Sequence, residues 1–137
     1  MSMFCFQCQE TARGTGCEVR GVCGKTEEVA KLQDLLIYTL KGISDIVVKG
    51  RLGVAEFGEI NGEVLSSLFM TITNANFDDE AIEEQIRKML AIRDGLNKSA
   101  AVKNLHESAS FKVSTKEEML EKAAKVGVLS TQNEDVR

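Results

Sequence analysis

Not one proline interrupts this chain of 137 residues, where average usage of about 5% would place roughly seven. Proline breaks helix interiors by removing a donor and colliding with the preceding turn, so its absence admits long helices. The hydrophobic pattern uses that freedom. After Thr26, Val29, Leu32, Leu36, Leu40, Ile43 and Val47 recur at steps of three and four. Leu35 and Ile46 widen the stripe, which predicts a helix with one buried face, stopped by Gly50 and Gly53. A second stripe runs through Phe57, Ile60, Val64, Leu68 and Ile72, widened by Leu65 and Phe69, and ends in the polar connection Thr73-Asn74-Ala75-Asn76. Asp78 and Asp79 then place acid where it caps free amides and complements a helix dipole. They open a third helix through Ile82, Ile86, Met89, Leu90 and Leu96 that fades near Asn104. Thr115-Lys116-Glu117-Glu118 has the form of a capping box and predicts a shorter fourth helix to about Lys125. Strand-like alternation is absent. Short connections favour antiparallel neighbours, so the expected fold is all-α: a three-helix up-down-up bundle with a short fourth helix, preceded by a cysteine-rich loop.

Three segments follow from this pattern: 1–25, cysteine-rich; 26–128, the helical bundle; and 129–137, a polar tail that offers little to a core and is the expected truncation point. The length suits one domain. With a net charge of -4 and a pI near 5.1, the chain lacks the basic footprint that phosphate recognition requires, so nucleic acid is not an expected partner. No apolar run approaches the roughly 20 residues that span a bilayer, and the first ten residues lack the pattern of a signal peptide. A cytoplasmic, membrane-free protein is the expectation.

All four cysteines lie between Cys5 and Cys23, in the pattern C-x2-C-x8-C-x5-C. In a reducing compartment, clustered cysteines point to metal binding more than to disulfides. Four thiolates on one short loop with Gly14, Gly16, Gly21 and Gly24 can wrap a single centre, and both zinc and iron–sulfur clusters accept four cysteines. The second pair is separated by five residues, wider than the two to four of structural zinc knuckles, which favours a cluster. Nearby glycines let backbone amides approach inorganic sulfide. Phe4 and Phe6 are candidates to cover one face, and Arg13, Arg20 and Lys25 to offset the negative charge. Cys5, Cys8, Cys17 and Cys23 are therefore the candidate metal and cofactor ligands. A zinc-stabilised structural or interaction module is the alternative.

The stretches Met3-Phe4-Cys5-Phe6-Gln7-Cys8-Gln9-Glu10-Thr11, Gly16-Cys17, Gly21-Val22-Cys23-Gly24-Lys25, Leu32-Gln33-Asp34-Leu35-Leu36-Ile37-Tyr38 and Leu68-Phe69-Met70-Thr71-Ile72-Thr73-Asn74-Ala75-Asn76-Phe77 resemble the opening of the hybrid cluster proteins, also called hydroxylamine reductases, a family related to the carbon monoxide dehydrogenases. The resemblance covers essentially the whole chain but only the N-terminal part of that longer polypeptide. It implies a [4Fe-4S] cubane on Cys5, Cys8, Cys17 and Cys23, at a spacing typical of anaerobes. It also implies an iron–sulfur–oxygen hybrid cluster, held in later domains, that reduces hydroxylamine or nitric oxide. After Cys23 the chain has one histidine, His106, and no cysteine, so it cannot bind the hybrid cluster. The expectation is an electron-transfer segment with no catalytic residue of its own. Its implied partners are an electron-donor protein or reductase and the remaining domains of the longer protein, and self-association is an outcome to test.

His106 has no second Cys or His beside it in sequence and reads as a surface residue. The pairs Asp78-Asp79, Glu83-Glu84 and Glu117-Glu118 read as solvated faces, because adjacent helical residues point apart. Met70, Met89 and Met119 read as core filler.

Overall fold

A computed structural model describes residues 1–73 and 77–136. Asn74, Ala75 and Asn76, the middle of the expected polar connection, lie outside the described residues, as does Arg137. The described residues form four α-helices: α1 (Glu27–Gly50), α2 (Val54–Ile72), α3 (Asp79–Ala100) and α4 (Lys116–Val126). Single 3-10 turns occur at Ala12–Gly14, Glu107–Ala109 and Val128–Ser130. Among the described residues the only strand-like pairing is an antiparallel bridge between Cys5 and Cys17. The all-helical bundle is the fold that the periodicity implied.

Helix α1 is central and packs chiefly against α3 and then α4. Its predicted stripe is buried at Val29, Leu32, Leu35, Leu36, Leu40, Ile43 and Ile46, while Val47 packs at the edge. Gln33, Tyr38, Thr39 and Gly42 are buried as well, so the covered face is broader than the stripe. Facing it are Ile82, Ile86, Met89, Leu90 and Leu96 of α3 and Met119 and Ala123 of α4.

The helix ends show local chemistry at work. Thr26 caps α1 by accepting from the Val29 amide, and Asp78 caps α3 by accepting from Glu80 and Ala81. The capping box of α4 has both halves: Thr115 Oγ1 accepts from the Glu118 amide, and Glu118 Oε2 accepts from the Thr115 amide, each at 3.2 Å. Lys116 forms ion pairs with Glu28 and Asp79 and so ties the starts of three helices together.

Two expectations need correction. Helix α1 is closed by Arg51 in the left-handed region (φ 51°) rather than by a glycine. Gly50 serves packing instead, since a Cβ there would lie 3.0 Å from Val102 Cγ2. The second correction concerns α2, which begins at Val54 and whose richest apolar face does not meet the core. Leu65, Leu68, Phe69 and Ile72 are exposed, whereas Ser67 and Thr71 are buried and Ile60, Val64 and Met70 pack at the core's margin. The inward face is turned because Ser67 Oγ accepts from Gln85 of α3 at 2.8 Å and because Thr71 meets the cysteine loop.

Arg93, 1% exposed, is the largest fully buried side chain. It donates to the carbonyls of Ser108 (3.2 Å) and Phe111 (2.6 Å) and lies over the Phe111 ring at 4.7 Å. It thereby holds the irregular segment between α3 and α4 against the bundle. Arg93→Met should leave both carbonyls without their donor and cost about 3 kcal/mol in urea unfolding. A loss below about 1 kcal/mol would contradict this role.

Candidate metal centre

The cysteine loop has few apolar anchors and relies on backbone pairing. The Cys5 and Cys17 main chains exchange hydrogen bonds of 3.0 and 2.9 Å, and Ser2 and Met3 donate to the Glu18 carbonyl. Met3, Cys17 and Ala30 of α1 form a small buried cluster, with Cys5 and Ala12 packed on it. Gly16 has a φ of 146°, and any Cβ there would lie 2.6 Å from the Phe4 ring. Phe4 thus covers the loop's own backbone. Phe6, expected to cover a face of the site, is 58% exposed.

Cys23 lies in a tight turn closed by Gly21 and Lys25, in which the Gly24 amide donates to Gly21 O and the Gly21 amide to Lys25 O. Gly24 takes a φ of 96°, a conformation open to glycine. At Gly21 a Cβ would lie 3.0 Å from Cys23 Sγ, so glycine leaves that sulfur its space.

All four cysteines are free thiols: Cys17 buried, Cys5 and Cys23 half-buried, Cys8 exposed. Among the described residues, no three Cys, His, Asp or Glu side chains are grouped as a metal-holding set. The structure therefore puts the four on one loop and pairs two of them through their backbones, without converging the sulfurs on one centre. As a donor set they suit soft-metal and iron–sulfur chemistry.

Of the three loop cations, one reaches a sulfur. Lys25 Nζ lies 3.3 Å from Cys5 Sγ, whereas Arg13 and Arg20 are exposed. His106 is exposed, as expected. Its Nδ1 contacts Ser108 Oγ at 2.9 Å, and its ring meets Tyr38 edge-on. Tyr38 also donates to Glu107, which pairs with Lys122. Burial first, then the neighbouring carboxylate, pushes the Tyr38 phenol up to about 12.

Sequence reasoning missed Gln33 and Asp34, which line a cavity of about 200 Å³ beside Cys5, Gln7 and Lys25. Gln33 Oε1 is buried and, among the described residues, has no hydrogen-bond partner. The available signal was a polar pair, Gln33-Asp34, inside an apolar helical stretch.

The family described as Prismane/CO dehydrogenase matches residues 3–137. The hydroxylamine reductase of Acetivibrio thermocellus is 69% identical over 137 residues, covering all of this chain and 25% of that protein. Those of Clostridium perfringens and of Desulfitobacterium hafniense strain DCB-2 are 49% and 52% identical, again over the whole chain and over 26% of each protein. The chain spans about a quarter of the length of these relatives.

Burial pushes the Asp34 carboxyl up to about 6, against the lowering effects of the Val128 amide and of Lys25 and Lys41. The folded chain then keeps this proton to higher pH than the unfolded chain does, so Asp34's contribution to stability falls as pH rises from about 4 to about 6. Asp34→Asn keeps an acceptor for Val128 and removes the titration. Its thermal midpoint should exceed the parent's at neutral pH and converge with it below about pH 4. Parallel curves for the two proteins across that range would refute this assignment.

Proposed function

The chain belongs to the Prismane/CO dehydrogenase family, and from that membership we propose that it is the electron-transfer part of a hydroxylamine reductase, with a [4Fe-4S] cluster held by Cys5, Cys8, Cys17 and Cys23. The observation that carries this reading is the confinement of every cysteine, all as free thiols, to one loop, with an ammonium on the Cys5 sulfur. When bound, such a cluster accepts and releases single electrons.

The chain's own residues do the holding and the access. Paired backbones keep Cys5 and Cys17 in register, Cys17 is packed beneath the loop, and Gly21 leaves room at Cys23. On the outer side Cys8 and Phe6 are exposed, which gives an electron-donor protein a short approach. Reduction of hydroxylamine or nitric oxide falls to the remainder of the longer protein. With the four cysteines so assigned, this chain has one histidine left, His106, engaged with Ser108. No helix among the described residues is long and apolar enough to cross a membrane.

Anaerobically purified chain should be brown and contain about four irons and acid-labile sulfide. Replacing Cys17 with serine should abolish that content. Colourless anaerobic protein with about one zinc per chain would overturn the proposal in favour of a structural zinc site.

A further inference from the structure

Lys25 is only 3% exposed, and burying a charge is costly unless it is paired and hydrogen-bonded. Its ammonium donates to three acceptors: Gln7 Oε1 at 2.9 Å, and Cys5 Sγ and the Thr71 carbonyl, each at 3.3 Å. It also lies over the Phe77 ring at 5.2 Å, a cation–π arrangement. None of the three acceptors is a carboxylate. Thr71 belongs to the last turn of α2, where carbonyls lack intrahelical partners and the dipole favours a cation. The same helix end holds the loop a second time, because Gln7 Nε2 donates to Thr71 Oγ1 at 3.3 Å.

We infer that Lys25 is a positioning residue for the cysteine centre: it fixes Cys5 against the C-terminal end of α2 and sets one positive charge on that sulfur. Its effect on a cluster rests on the reading above; its anchoring of Cys5 does not. Adding one electron from an external reductant makes a four-thiolate centre more negative by one charge, and Lys25 passes no proton in the step. A fixed ammonium at the sulfur therefore favours the reduced form and raises the potential.

Two variants of the full chain test this: Lys25→Met, which removes the charge, and Lys25→Arg, which keeps it. In metal-free protein, hydrogen exchange should show Lys25→Met losing about tenfold protection at the mutually bonded Cys5 and Cys17 amides while the amides of α1 stay unchanged. Unchanged protection overturns the positioning role. In anaerobically iron-loaded protein, a dithionite titration followed by electron paramagnetic resonance should give Lys25→Met a lower midpoint potential than the parent, with Lys25→Arg close to the parent. Equal midpoints overturn the role of the charge. If Lys25→Met takes up no iron, uptake restored in Lys25→Arg supports that role, and uptake lost in both overturns it. A parent chain that binds no iron would sink the proposed cluster and leave the exchange comparison standing.

Discussion

A helix that is apolar over most of its circumference must be covered on several sides at once, and α1 imposes that demand on everything else. Leu32, Leu35, Leu36, Ile43 and Ile46 are essentially inaccessible, and the helix is long enough to receive α3, α4 and the Glu107–Ala109 turn along its length. The cysteine loop uses the same support. Ala30, near the start of α1, is the surface on which Met3 and Cys17 pack, so a segment with little apolar content of its own borrows its fixed position from the core helix.

The irregular segments share a second device. Loops lack the repeating hydrogen-bond ladder of a helix, and their buried carbonyls need donors from elsewhere. One buried cation supplies them to the segment between α3 and α4, and a second, set in the cysteine loop, serves a carbonyl left open at a helix end. Arg93 reaches outward from α3 to Ser108 and Phe111, while Lys25 reaches from the cysteine loop to the end of α2. In the first case a helix holds a loop; in the second a loop grips a helix. Long side chains with several donors suit both tasks, because one group satisfies acceptors on separate pieces of chain.

Much of this was legible in the residues. The stripes of α1 and α3, the capping box at Thr115 and the acid at Asp78 are local signals, and local structure followed them. The inward face of α2 was not legible. Leu65, Leu68 and Phe69 look like core by period, yet Ser67 and Thr71 point inward, because the choice depends on partners supplied by Gln85 and Gln7 from distant segments. The candidate site divides in the same way. Spacing named the four cysteines, but it treated Arg13, Arg20 and Lys25 as equals. Only the packing of α2 against the loop singles out Lys25, and nothing in residues 1–25 encodes where Thr71 will lie.

The contact between α1 and the Glu107–Ala109 turn has an informational side. At Gly42 a Cβ would stand 2.2 Å from the Ser108 carbonyl oxygen, backbone against backbone, with no flexible side chain to yield. Gly62 and Gly95 would meet nothing within 4 Å. The same letter therefore carries unequal weight along this chain. At 62 and 95 it is one spelling among several, while at 42 it sets the distance between two main chains, and the alphabet allowed there has a single member.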